Sequence, residues 1–385
     1  VADKFTQAHG PDAEREEVPP ARAVDAKWVA LALHRSSKVV ILTGEGMSTE
    51  SGFPSFYNSA CNLAFGQRTQ DVATWQSFDD QPEVVWQWHR HWWHVCTAAA
   101  PSPGHRAIAE LEHLLAETAT VVTQCFDDLH GKAGCSSKIL QINGSISEMH
   151  CDENWKDSCL AGLDLDDPDV FRRTRGTTQK ITAGVWDLPL PPPCSICGSR
   201  QRPNILWLDE ACNESFHRGR TATEAVQMCD LLLIVGAQVS SGLAVKLLHK
   251  ARIAGATLIR IDAMVDGESP ENVGISYIQA RLSDTLPRIV GYFKSWLSEP
   301  SIALNCNEYD SDDTDPDMPA LVPCTPRHVL PARASFIKTM NASTPEAPQP
   351  RHKPAAKAKA WPRASSPANN KASASPRRAS ARSPS

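Results

Sequence analysis

Lys38–Phe56 reads KVVILTGEGMSTESGFPSF. Val39–Leu42 has the unbroken aliphatic character of a strand buried on both faces. It breaks at Gly44-Glu45-Gly46, and Met47-Ser48-Thr49-Glu50-Ser51 then reads as a polar helix start running to Gly52. A strand, a glycine turn and a helix start form the layout that holds a dinucleotide phosphate. Glycines let the backbone approach the anion, and free N–H groups at the helix start face it. Gly44, Glu45, Gly46 and Ser48 are therefore candidate cofactor-binding residues. The same pattern also occurs as a plain tight turn, so its meaning depends on the rest of the chain.

Outward from this stretch, strand and helix patterns alternate. Helical spacing predicts helices over 24–34, 71–78, 82–96, 103–117, 221–228, 243–254 and 286–297, with Ser102 as a cap and a proline opening the tryptophan-dense VVWQWHRHWWHVC segment. Apolar runs predict strands over 119–123, 138–142, 204–208, 231–235 and 257–261. This alternation argues for an α/β fold with a doubly wound parallel sheet, in which ligands sit at the carboxyl ends of strands. Gly44, Gln124, Asn143, Gly236 and Asp262 fall at such ends. Residues 150–200 break the rhythm with cysteines, prolines and charges, as an inserted module would.

The bulk numbers agree. The chain has 385 residues and 41% hydrophobic content, enough for a large core. It has no apolar run of about 18 residues, so no membrane span or membrane partner is expected. No basic-then-apolar start marks a signal peptide. Twelve cysteines without dense spacing fit a reducing, intracellular compartment and a metal site better than a disulfide scaffold. Residues 326–385 hold 12 of the 39 Lys+Arg and one of the 44 Asp+Glu, a net of +11 against −16 for the rest. A tail rich in Pro, Ala, Ser and Lys/Arg cannot bury enough apolar surface to offset its ordering entropy. It can bind nucleic acid or chromatin through charge, and with its Ser-Pro pairs it leans towards a nuclear location.

The motifs together resemble the sirtuin family of NAD-dependent protein-lysine deacylases. The family's GAGxSxxSGIPDFR appears as Gly44-Glu45-Gly46-Met47-Ser48-Thr49-Glu50-Ser51-Gly52-Phe53-Pro54-Ser55-Phe56-Tyr57. Its TQNIDxLH appears as Thr123-Gln124-Cys125-Phe126-Asp127-Asp128-Leu129-His130, and its HGS as Asn143-Gly144-Ser145. Its CxxCG and RPxVVWFGE appear as Cys194-Ser195-Ile196-Cys197-Gly198 and Arg202-Pro203-Asn204-Ile205-Leu206-Trp207-Leu208-Asp209-Glu210, and the strand ending in GTS as Leu231–Gly236-Ala237-Gln238. The Trp-rich helix and Gly104–Ala109 are similar to the class III and bacterial branch.

The resemblance covers about residues 24–298. It implies a Rossmann-like NAD-binding domain (23–149 and 201–300), a small zinc-ribbon-type module (150–200), a flexible start (1–22) and a disordered acidic-then-basic tail (301–385). It implies cofactor contacts at Gly44, Glu45, Gly46, Ser48, Gln124, Asp127, Gly236, Gln238 and Asp262, and acyl-lysine contacts at His89, Trp92, Leu206, Trp207 and Leu208. The family reaction transfers the acyl group to ADP-ribose, releasing nicotinamide and free lysine, with the HGS histidine as general base.

Several positions depart from that pattern. The histidine is Asn143, and an amide hydrogen-bonds a hydroxyl without taking its proton at neutral pH. His130 keeps a histidine that the family uses otherwise, so it is not expected to substitute. Ser55, Tyr57 and Cys125 replace the family's Asp, Arg and Asn, and Glu45 brings a carboxylate into the phosphate turn. His89 and Trp92 stand where desuccinylase-type members carry the Tyr and Arg that bind an acidic acyl group, so that Arg fork is absent. For structural zinc, Cys194 and Cys197 form a CxxC pair, Cys151 offers a third thiol, and Cys159 or His150 a fourth ligand. Two functions follow from the resemblance. One is a deacylase acting on acyl-lysine proteins with impaired turnover. The other is an inactive pseudosirtuin that binds ADP-ribose-like ligands, protein partners or chromatin. A hydride-transferring oxidoreductase would share the glycine turn but gives no reason for the cysteine module.

Overall fold

The structure, a computed structural model, describes residues 21–53, 68–136, 138–152, 178–239, 242–265 and 272–298. The strands in chain order are β1 (Arg22–Ala23), β2 (Val39–Thr43), β3 (Ala119–Thr123), β4 (Leu140–Gln141), β5 (Gly144–Cys151), β6 (Gln179–Lys180), β7 (Gln201–Ile205), β8 (Leu231–Val235), β9 (Thr257–Asp262) and β10 (Ser276–Gln279). Seven of them form one sheet in the order β1-β10-β9-β8-β2-β3-β4. Every pairing in it is parallel. The other three form a separate antiparallel sheet, β6-β5-β7.

The central strands are buried at every residue because helices cover both faces. Strand alternation sends Val39, Ile41, Leu231 and Leu233 to one face, against helices Ala26–Arg35, Pro103–Leu115 and Leu282–Ser298. Val40, Leu42, Leu232 and Ile234 face the other way, against helices Gly219–Gln227 and Gly242–Ile253. Each aliphatic side chain buried this way contributes about 1.5–3 kcal/mol relative to exposure.

Polar groups fix the ends of these elements. Asp230, just before β8, accepts from the N–H groups of Ser37 and Lys38 at 2.8 and 3.0 Å and so aligns the starts of β8 and β2. Ser102 caps its helix in a capping box with His105. The Glu50 carboxylate accepts from the N–H groups of Leu282 and Ser283, both at 2.7 Å.

That last contact explains one difference from the sequence reading. The final helix starts at Leu282, upstream of Pro287, where periodicity alone placed its start at residue 286. The helix expected over 71–78 is two short ones, Thr69–Val72 and Trp75–Asp80, because Thr74 leaves helical geometry to cap the second, accepting from Ser77 N–H at 3.0 Å. The strand expected over 204–208 is β7, ending at Ile205. The chain turns there because Glu210 accepts from both Arg202 guanidinium nitrogens and from the Trp207 N–H. The small sheet thus takes in strands at 144–151 and 201–205, on both sides of the expected 150–200 module. Residues 1–20, Ser55, Tyr57, Cys159 and the tail, for which the sequence also sets expectations, lie outside the described residues.

Candidate functional site

Strand order reverses between β2 and β8. From β2 the chain steps to β3 and β4 on one side, and from β8 to β9 and β10 on the other. In open parallel sheets this switch point, at the carboxyl ends, leaves a crevice for ligands. Here the two glycine turns meet. Gly44 N–H donates to Val235 O at 3.1 Å and Gly46 N–H to Gly236 O at 2.9 Å. A Cβ on Gly46 would lie 2.8 Å from Gly236 Cα, and one on Gly44 would lie 2.5 Å from Ala237 Cα. Only glycine permits that approach, which keeps the crevice walls thin at the start of the Glu45–Thr49 helix.

A cavity of about 230 Å³ opens at this point. Of the candidate residues, Glu45, Ser48, Gln124, Asp127, Asn143, Gln238, Trp92 and Leu206 line it. They come from the carboxyl ends of β2, β3, β4 and β8, from helix Pro82–Ala98 and from the segment after β7. Ser48 Oγ donates to Asp127 Oδ2 and contacts Cys125 Sγ at 3.3 Å. The other Asp127 oxygen accepts from Leu129 N–H at 2.9 Å. Burial pushes the Asp127 carboxyl above the usual range, against the pull of the Ser48 hydrogen bond. Burial likewise raises the Cys125 thiol, so it stays protonated. Gln124 donates from Nε2 to Gln238 O at 3.3 Å, tying the β3 and β8 ends together.

Asn143 donates its side-chain amide to Gln124 O at 2.9 Å, and its own carbonyl accepts from Leu206 N–H at 3.0 Å. No histidine lines the cavity among the described residues. His130 is buried beside it, 2.8 Å from Thr43 Oγ1, and burial pulls its imidazole down to about 4. His150 stacks on Phe216 at 4.0 Å in the small sheet.

Other candidates stand apart from the cavity lining. His89 is fully buried, 2.9 Å from Ile146 O and packed on Trp86 and Trp186, and desolvation pulls it down to about 3. Trp207 is buried between Phe78, Trp75 and the Arg202 guanidinium, and Leu208 is exposed. These three belong to packing and surface, because β7 ends before them and helix rotation turns His89 inward. Asp262 ends β9 with one oxygen accepting from Met264 N–H at 3.0 Å. Phe53, Cys96, Phe126, Ile142, Gly242, Leu243 and Ala244 also line the cavity. In sequence they read as core or loop. The only available signal was the one-turn spacing of Trp92 and Cys96.

A second constellation lies in the small sheet. Cys151, Cys194 and Cys197 place their sulfurs within 4.8 Å of one another, with Cys151 and Cys197 at 3.5 Å. A tetrahedral zinc with sulfur ligands at about 2.3 Å requires sulfur separations of about 3.8 Å, so three thiols fit. A turn closed by Gly198 N–H to Cys194 O at 2.9 Å brings Cys194 and Cys197 together. His150 is excluded as the fourth ligand, because strand alternation places it opposite Cys151 and against Phe216.

Comparison with known proteins places this geometry. Residues 44–241 match the Sir2 family. A protein of Leptospira interrogans named NAD-dependent protein deacylase is 30% identical over 258 residues, covering 66% of this chain and 92% of the relative. NAD-dependent protein deacylase 2 of Pyrobaculum aerophilum is 32% identical over 265 residues, covering 68% and 93%. The fold matches a Sir2 homologue solved as an NAD complex, with a TM-score of 0.58 at 23% identity, over 71% of this chain and 96% of that one.

Proposed function

The chain belongs to the Sir2 family, and from that premise we propose that it is an NAD-dependent protein-lysine deacylase whose turnover is impaired where the reaction needs a base. The observation that carries this reading is the Asn143 side chain. It lines the cavity with its amide committed to Gln124 O, and it offers no proton acceptor of useful basicity.

Bound NAD supplies an electrophilic ribose carbon and nicotinamide as its leaving group. The chain's own residues do the rest. Gly44, Gly46 and Gly236 let the two turns close on each other, and the diphosphate would lie beside them at the start of the Glu45–Thr49 helix in a Rossmann-like domain. Ser48 and Asp127 form a fixed polar pair beside Gln124 and Asn143. Trp92 and Leu206 form the apolar wall against which an acyl-lysine lies. Glu45 opposes the diphosphate, since like charges at about 4 Å repel by about 1 kcal/mol in water and by more in a crevice. Loss of a positioned base lowers the rate by about 10²–10⁴-fold. Cys151, Cys194 and Cys197 hold a structural zinc, with Cys159 as fourth ligand.

The second reading, a scaffold that binds ADP-ribose or protein partners without turnover, is favoured by the concentration of departures in one cavity, namely Glu45, Cys125 and Asn143. The +11 tail adds a means of holding chromatin or nucleic acid. Calorimetric titration with NAD and with ADP-ribose, beside nicotinamide release from acyl-lysine peptides, separates the two. Binding with slow release supports the impaired enzyme. Binding with no release, even in Asn143→His, supports the scaffold. Absence of binding removes both.

A further inference from the structure

Asp128, in the loop after β3, has φ +61 and ψ 12, the left-handed region that a residue with a Cβ enters only at a cost. It stands at the N-cap of the Leu129–Lys132 helix, where an aspartate ordinarily accepts from a backbone N–H of the first turn. Its side chain makes no such bond. The Leu129 N–H goes instead to Asp127 Oδ1 at 2.9 Å. Asp128 turns its carboxylate to the stretch around the end of β4, where one oxygen, Oδ1, accepts from Gln141 Nε2 at 2.9 Å and from Ser145 Oγ at 2.8 Å. Those donors flank Asn143 at equal distance along the chain. A strained backbone persists where its surroundings hold it, and this pair of bonds is what the Asp128 side chain gains there.

Asn143 is gripped from the other side by the β7 end. Its carbonyl accepts from Leu206 N–H at 3.0 Å, and a Cβ on Gly144, at φ +82, would stand 2.0 Å from Asn204 O. On the β3 side, Thr123 O accepts from Ile142 N–H at 3.0 Å, Gln124 O from the Asn143 amide at 2.9 Å and Phe126 O from Ile146 N–H at 2.7 Å. Each of these bonds holds one residue. The Asp128 carboxylate spans residue 143 and fixes the turn on both sides of it. Ser145 Oγ carries the constraint into β5 by accepting from Ser147 N–H at 3.2 Å. Asp128 stands outside the cavity lining, whereas Asn143 belongs to it. The pattern TQNIDxLH leaves the Asp128 position open, so the motif gives it no role.

We propose that Asp128 is a positioning residue for the cavity, holding the 141–145 turn so that Asn143 meets the ribose of the bound ligand. The proposal rests on the reading of the cavity as the NAD site.

The test is a double-mutant cycle read by calorimetric titration of the full chain with ADP-ribose, so that it does not depend on turnover. Asp128→Gly keeps the left-handed backbone and deletes the clamp, and circular dichroism checks its folding. It is expected to weaken ADP-ribose about 10-fold in the native background and about 2-fold or less in Asn143→Ala. Asp128→Asn, which tolerates the same backbone and keeps an acceptor oxygen, is expected to bind within about 2-fold of the native chain. Gln141→Leu removes one donor and leaves Asp128 in place. It is expected to cost about 3-fold, again only while Asn143 is present. An equal loss from Asp128→Gly in both backgrounds overturns the proposal, because the carboxylate would then serve stability alone. So does an Asp128→Gly or Asn143→Ala chain that binds as the native chain does, and either result leaves the cofactor site standing. Failure of the native chain to bind ADP-ribose removes the reading of the cavity and the proposal with it.

Discussion

Gly46 N–H donates to Gly236 O across 2.9 Å, so the turns that end β2 and β8 rest on each other backbone to backbone. Gly236 adopts φ +54 and has Gly46 Cα 3.0 Å from where its own Cβ would stand. Alanine at either position must push the two turns apart. Gly46→Ala and Gly236→Ala are each expected to lower stability by about 1–3 kcal/mol and to weaken ADP-ribose binding. Urea midpoints and calorimetry check this. Unchanged values in both variants would show that the turns separate without cost.

Glu50 holds the start of the Leu282–Ser298 helix from 232 residues away in the chain, through the Leu282 and Ser283 N–H groups. Glu50→Ala leaves both donors unsatisfied at the half-buried helix start. The expected loss is about 1–2 kcal/mol, with Glu50→Gln intermediate because one acceptor remains. The urea midpoint measures it, and the m-value should stay constant if the fold is otherwise intact.

Five buried histidines set the acid limit of stability. Desolvation holds His89, His105 and His150 down to about 3, and His130 and His217 to about 4. The unfolded chain protonates each of them near 6.5, so it binds more protons than the folded chain between about pH 6.5 and 4. Their contribution is complete above pH 6.5 and is lost as pH falls, by up to about 1.4 kcal/mol per histidine per pH unit. Asp127 acts in the opposite sense. Its raised folded value gives a contribution present at low pH and lost as pH rises. Thermal midpoints are therefore expected to fall steeply from pH 7 to 5, with net proton uptake on unfolding. A flat profile over that range would contradict the burial of these rings.

The thiol cluster predicts one zinc per chain, measurable by atomic emission. Chelation or Cys194→Ser is expected to lower the thermal midpoint by about 4 °C or more, for a loss on the order of 2 kcal/mol. Cys159→Ser should weaken the metal, while His150→Gln should leave the zinc content unchanged. A metal-free native chain with an unaltered midpoint would remove zinc from the account.

The large sheet was legible because its central strands are continuous aliphatic runs. Leu231–Val235 begins and ends in the structure where the apolar run does. The motif residues at the strand ends were legible too, because glycine and amide side chains interrupt those runs. The small sheet was less so. Strand β5, Gly144–Cys151, mixes buried and half-buried residues with Glu148 and His150, and two-residue strands such as β6 carry no periodicity. His89 and Trp92 read alike in sequence. Only the rotation of the helix separates the ring that packs against Ile146 from the one that lines the cavity. Cys96 and Phe126 were missed for the same reason, since an apolar side chain facing a cavity looks like one facing a core.

The role of Asn143 is measured most directly by the amount of free-lysine peptide formed from a neutral acyl-lysine peptide with NAD, for the native chain beside Asn143→His. Slow native turnover is expected, with an increase of about 10²-fold or more in Asn143→His. Native turnover that Asn143→His leaves unchanged would contradict it, because a proton acceptor other than residue 143 would then be serving the reaction.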